Sequence, residues 1–245
     1  MIGSRYQPFF QGIPTFFRAP LSGPTALTAE DVAVIGVPFD AGITLGRQGA
    51  KHGPRSIREA SCYYASLYDC TPGKAQYHVD SGLVQTVTSE QRFKDLGDVD
   101  VFPLDVAATT DAIVEGVASA ARGAGFTLVL GGDHYVAYPS FKGFVKGIRS
   151  RQPDASFGYV HIDSHTDFWD EYGFGGRYNH ATAVRRITEE GLVDRDHVVW
   201  LGLNGMMPLE HHRLMVKHHM TALTASQLTE ASWKQRLDDA IQLFR

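Results

Sequence analysis

Two short segments of this sequence gather residues of metal-ligand type: Gly131-Gly132-Asp133-His134 and His161-Ile162-Asp163-Ser164-His165-Thr166-Asp167. In the second, Asp163, His165 and Asp167 alternate. Residues two apart on an extended chain point the same way, so three such side chains would converge on one side of a strand end. Two carboxylates held this close repel unless a cation or protons lie between them. His165 adds a borderline nitrogen donor. In the first segment, Gly131-Gly132 permits the tight turn that would bring His134 in from a neighbouring strand end. Asp133 is placed to orient a ligand from just outside the coordination shell. Oxygen and imidazole donors without a thiolate favour Mn2+, with Zn2+, Fe2+, Co2+ or Ni2+ as alternatives. Several carboxylates able to bridge suggest two ions, which together lower the pKa of a shared water. Either segment alone has a plain alternative, a turn or capping role. The pair, at the ends of two predicted strands, points to a metal site.

A third feature lies downstream, where Gly175-Gly176-Arg177-Tyr178-Asn179-His180-Ala181-Thr182 leads into a helix. His180 has two readings. It is a helix-start residue, or it is an imidazole beside the metals that gives a proton to a leaving amine.

The elements that must position these groups alternate. Residues 31–38 and 126–130 read as buried strands, as do 157–162 and 197–202, with a short strand at 220–223. Between them run helical patterns. One begins at Pro54 with Ile57, Ala60, Tyr64 and Leu67 on one face. Another is capped by Thr110 and carries Ile113, Val114, Val117 and Ala121. A third carries Phe141, Phe144, Val145 and Ile148, and a fourth Ala183, Val184 and Ile187. The last is capped by Ser232, with Trp233, Leu237, Ala240, Ile241 and Phe244 inward. Residues 1–30 are irregular, broken by Pro8, Pro14, Pro20 and Pro24, although Phe9, Phe10, Phe16 and Phe17 call for burial. Alternating strands and helices predict an α/β domain over 1–245 with a mostly parallel sheet. Both metal-type segments fall just past strand carboxyl ends, where such sheets bind ligands.

Bulk properties narrow the classes. The chain has 245 residues, 43% hydrophobic and 20% charged, with a net charge of -4. That is globular composition without the basic concentration that nucleic acid or an anionic membrane surface requires. Two cysteines, Cys62 and Cys70, exclude a disulfide scaffold and suit a reducing cytoplasm. No signal peptide is read at the N-terminus, and no apolar run reaches membrane-spanning length.

The two metal-type segments resemble the first two metal signatures of the ureohydrolase (arginase/agmatinase) family. Gly12-Ile13-Pro14-Thr15-Phe16, residues 33–40, Gly49-Ala50-Lys51-His52-Gly53-Pro54-Arg55-Ser56-Ile57-Arg58 and residues 198–203 are similar to its agmatinase and guanidino-acid hydrolase branch. The resemblance covers nearly the whole chain. It implies a three-layer α/β/α arginase-like fold, Mn2+ as cofactor and a small guanidino substrate, agmatine or a guanidino acid, hydrolysed to urea and an amine. It also implies roles: His134 on one metal, His165 on the other, Asp163 bridging both, Asp167 with His134, and His180 as proton carrier. A homo-oligomer is implied as well.

There are departures from the family pattern. Tyr135 follows His134 where Ser is usual, Ala181 follows His180 where Gly is usual, and Asn204 stands where the branch often has Arg. Phe168 and Trp169 add bulk beside Asp167, as core packing or as substrate contacts. The family's third signature, a strand ending in Asp-x-Asp, would follow the last helix, and the sequence ends at Arg245. The resemblance thus implies a C-terminally truncated chain, inactive alone, without two strands that would lie between those ending at Leu130 and Ile162. The alternative function is an inactive member serving as a metal- or partner-binding subunit. A weaker one is a formimino or acyl-amine hydrolase on the same fold.

Overall fold

Val32-Ala33-Val34-Ile35-Gly36 is almost wholly apolar, and it forms strand β1 (Val32–Gly36) at the centre of a three-stranded parallel sheet. Such a continuous apolar run suits a strand covered on both faces. The computed structural model describes residue 8 and residues 10–42, 46–67, 73–86, 92–229 and 231–242. Past β1 come α1 (Gly53–Leu67), a hairpin of β2 (Ala75–His78) and β3 (Leu83–Thr86), then β4 (Phe93–Asp98). The chain continues through α2 (Val106–Gly123), β5 (Phe126–Leu130), α3 (Ala137–Arg149), β6 (Tyr159–Ile162) and α4 (Ala183–Glu189). It closes with β7 (Val198–Leu203), α5 (Leu209–Lys217), β8 (Thr221–Thr224) and α6 (Trp233–Ile241).

The strands form two parallel ladders, β4-β1-β5 and β6-β7-β8, beside the antiparallel β2-β3 hairpin. This is the predicted α/β class, divided differently from the single sheet expected. Among the described residues β5 and β6 each pair on one side only, and they do not pair with each other. Phe126 and Ile162 on these edges are exposed. One apolar cluster nevertheless joins both ladders, from Ile35, Ile113, Val117 and Tyr138 to Ile187, Val198, Trp200 and Leu203. Within it α3 lies against the backbone of α2. A Cβ on Gly143 would come 2.6 Å from the Val114 carbonyl oxygen, and one on Gly147 2.5 Å from that of Ala118.

Several local expectations are corrected. Helix α1 turns its other face inward: Pro54, Arg58, Ser61 and Cys62 are buried, while Ile57, Ala60 and Tyr64 are exposed. The reason is electrostatic. Arg58 makes a forked pair with fully buried Asp95, Nε to Oδ2 at 2.8 Å and Nη2 to Oδ1 at 2.9 Å, and reaches Asp98 at 2.6 Å. Strand β4 has no apolar pattern to announce it, because Lys94, Asp95 and Asp98 interrupt its sequence. Helix α2 begins four residues before Thr110. Asp105 caps it, accepting from the Ala108 N–H at 2.9 Å, and Thr110 instead accepts Tyr135 as a hydroxyl partner at 2.7 Å.

In α6 only Ala240 is buried. Leu237 is half-buried, Trp233 and Ile241 are exposed, the Ser232 side chain makes no cap bond, and Phe244 lies outside the described residues. Phe16 and Phe17 are half-buried against Phe93, Phe10 is exposed, and Phe9 lies outside the described residues. Cys62 is a buried free thiol, and Cys70 also lies outside them. No helix among the described residues is long and apolar enough to cross a membrane.

Candidate metal centre

Strand β5 ends at Leu130 and the chain turns at once. Gly132 is required there, since a Cβ would sit 1.8 Å from the Phe39 carbonyl oxygen, to which the Asp133 N–H donates at 2.9 Å. Asp133 then caps a single 3-10 turn, accepting from the Tyr135 N–H at 2.8 Å, and that turn presents His134. Burial pushes the Asp133 carboxyl up to about 6, against the N–H groups of Tyr135 and Gly42. Asp133 therefore shapes the turn that carries His134.

His134 Nδ1 lies 3.0 Å from Asp163 Oδ2 and 2.8 Å from Asp167 Oδ2. Its ring stacks on that of His161 with centroids 4.9 Å apart and planes 7° from parallel. His161 Nε2 is 3.9 Å from Asp167 Oδ2. One ligand atom from each of His134, His161, Asp163 and Asp167 lies within 4.8 Å of the others. The chain does not stay extended through this segment, as the alternation argument assumed. Strand β6 stops at Ile162, and Asp167 takes a left-handed backbone, φ 45°, a conformation that Asp tolerates better than most residues. Asp163 and Asp167 meet at His134, and His165 swings aside with its side chain 77% exposed. His165 stays in touch with the other oxygen of Asp163, Nδ1 to Oδ1 at 3.2 Å. His161 belongs to the same segment but stands outside the alternating trio from which the ligands were expected. The signal for it was present: it stands two residues before Asp163 and is a buried polar residue in an apolar strand.

Charge within the cluster is divided. Contact with Asp167 raises the His134 pKa against the opposing effect of burial. Burial drives His161 down to about 4, helped by His134, which leaves a neutral ring. Burial works to raise Asp163, but the His165 N–H and the imidazoles of His134, His161 and His165 overcome it and hold the carboxyl below its ordinary value. His161 Nε2 and Asp167 Oδ2 are buried without a hydrogen-bond partner. Asp167 Oδ2 is thus close to two imidazole nitrogens and aligned with neither. Adjacent ligands of an octahedral cation with bonds of 2.0–2.1 Å stand about 3 Å apart without bonding each other. The donor set fits a divalent cation.

His180 sits at the start of a 3-10 turn capped by Asn179, the helix-start placement of its first reading. Its backbone N–H and its Nδ1 both meet the Gly42 carbonyl oxygen, at 3.1 and 2.9 Å. A carbonyl only accepts, so Nδ1 carries the proton and Nε2 is left for exchange. His180 lines an open cavity of about 560 Å³ together with His165, Asp167, Trp169, Tyr172 and Asn204.

The family model described as "Arginase family" matches residues 30–245. This chain belongs to the arginase family. It is 36% identical over 200 residues to the guanidinopropionase of Pseudomonas aeruginosa, covering 81% of this chain and 55% of that protein. It is 32% identical over 194 residues to the mitochondrial agmatinase of Gallus gallus, covering 79% and 51%. The chain therefore spans about half the length of these curated relatives. Among solved structures, the proclavaminate amidino hydrolase of Streptomyces clavuligerus superposes with a TM-score of 0.71 at 26% identity, over 96% of this chain and 70% of that one. The α/β arrangement with mainly parallel sheets matches that arginase-like neighbour.

The departures from the arginase-family pattern divide by location. Tyr135 and Phe168 belong to the core, Tyr135 against Phe39 and Tyr138, Phe168 edge-on to Trp200. Trp169, Ala181 and Asn204 line the cavity.

Proposed function

We propose that this chain carries the metal centre of an agmatinase-like amidinohydrolase, which converts a small guanidino compound to urea and an amine. The observation that carries this reading is the division of the Asp163 carboxylate. Oδ2 faces His134, which also meets Asp167, and Oδ1 faces His165. One site would thus be held by His134, Asp167 and Asp163 Oδ2, with His161 beside it, and a second by Asp163 Oδ1 and His165. Oxygen and imidazole donors make Mn2+ the first choice. A bound divalent cation would supply Lewis-acid activation of water at neutral pH.

The remaining work falls to the chain itself. Water adds to the guanidinium carbon, the bond from that carbon to the substituted nitrogen breaks, and the leaving amine takes a proton. His180, its Nδ1–H committed to Gly42, exchanges that proton at Nε2. The cavity wall orients the rest of the substrate. The relatives' names as guanidino-compound hydrolases support this reading over that of a non-catalytic subunit.

The test is urea release by the purified whole protein that carries this chain, with Mn2+ and a panel of guanidines, beside Asp163→Asn. Turnover in the parent and its loss, together with bound metal, in the variant is the expected result. Absence of urea with every guanidine, from metal-loaded protein, overturns it.

A further inference from the structure

We propose that the cavity beside His180 selects guanidines with an uncharged, apolar tail, an alkyl- or arylguanidine rather than a guanidino acid or an aminoalkylguanidine. This rests on the proposed function and deepens it. Large exposed hydrophobic residues scattered singly mean little, but a gathering of them at one cavity marks a binding surface. Trp169, Met206 and Met207 are all exposed, and all three line this cavity. Leu203, Pro208 and Tyr172 extend this apolar surface, and the hydroxyl residues Ser164, Thr166, Thr224 and Ser226 also line the cavity beside the residues already named.

The wall is anchored. The Trp169 N–H donates to the Ala181 carbonyl oxygen at 3.2 Å, tying it to the turn that carries His180. The Trp169 ring meets His211 at 4.8 Å and Tyr172 at 5.4 Å, which fixes its plane. Methionine, on the loop after β7, adapts to apolar shapes and packs well on aromatic rings.

Charge points the same way. Among the described residues no lysine or arginine lines the cavity, and Asp167 is the one carboxylate that does. Asp167 lies 2.8 Å from His134 Nδ1 and belongs to the proposed cation site. The amide oxygen of Asn204 accepts from the Gly205 N–H at 2.9 Å, which leaves a neutral NH2 as its free group. A carboxylate tail would give up water for neutral donors, and an ammonium tail would find hydroxyls and thioethers with no opposing charge of its own. An apolar tail meets neither penalty, and each methylene it buries on Trp169 and the methionines adds to binding.

The experiment compares kcat/KM for n-butylguanidine, agmatine and 4-guanidinobutyrate, which share one chain length, in the Mn2+-loaded protein, in Trp169→Ala and in Trp169→Phe. We expect butylguanidine to lead both charged compounds by on the order of tenfold or more. That lead should collapse in Trp169→Ala and return in Trp169→Phe. A lead for either charged tail, or a lead that Trp169→Ala leaves intact, overturns the inference while the proposed function stands. Absence of urea with all three overturns the proposed function. Tail selection is then read from calorimetric titration of the same compounds, where equal or reversed affinities overturn it and a Trp169-dependent preference for butylguanidine sustains it.

Discussion

His134 Nδ1 stands against two carboxylates at once, and this contact sets what single substitutions should do. His161 closes the group with a neutral, unpartnered Nε2. His161→Ala should therefore weaken metal retention by at least the roughly 10–100-fold typical of groups that support a ligand. Bound metal by mass spectrometry after graded chelation checks this, and unchanged retention would reduce His161 to a packing partner for the His134 ring. His180 sits outside the cluster and holds its ring by one carbonyl. His180→Ala should leave metal content alone and lower kcat by about 10²–10⁴-fold, the usual worth of a positioned proton carrier. A variant with parental kcat would return His180 to the role of a helix-start residue. At this scale the sequence was informative about residue type and less so about aim. Asp163, Asp167 and His134 were legible as residues of ligand type just past two strand ends. The turn at Asp167, which sends His165 outward and keeps His161 in, was not, because alternation predicts direction only while the strand stays extended.

Elements were legible where burial dominated and illegible where charge was buried. Strand β5, expected to be buried, buries only Leu130 and exposes Phe126, while strands β1 and β7 and helix α3 follow their apolar patterns. Strand β4 and the inward face of α1 do not, since both are organised by the Arg58 fork on Asp95. This pair leads to an expectation that hydrophobic patterning would not give. Arg58→Ala strands the fully buried Asp95, and breaking one side of a buried pair costs about 3–5 kcal/mol. The exposed Ile57→Ala on the opposite face should cost about 0.5 kcal/mol or less, the range of ordinary surface substitutions. Urea denaturation of the two variants separates these outcomes. A larger loss in Ile57→Ala would mean that the face read from the sequence is the buried one.

At the scale of the fold, the cluster occupies the point where two ladders approach without pairing among the described residues. His134 follows β5, while His161, Asp163 and Asp167 belong to β6 and the turn after it. A cation there would tie the two ladders together, so its binding should stabilise the fold as well as the site. At a hundredfold excess over Kd the linkage is about 2.7 kcal/mol. For a chain of this size, at 2–4 °C per kcal/mol, that is a Tm rise of about 5–10 °C. Calorimetry of chelated protein with and without Mn2+ measures it, and an unchanged Tm would count against a cation at this junction. By itself the sequence determined the α/β class, the four main strands and the ligand types at two strand ends, because apolar periodicity and residue chemistry are local properties. It also carried the arginase-family resemblance, through motifs that are contiguous in the chain. Only the tertiary structure decided that the strands divide into two ladders, that Trp169 faces a cavity while Phe168 faces the core, and that His161 joins the cluster. Each of these depends on which distant backbone passes nearby, and no window along the sequence contains that neighbour.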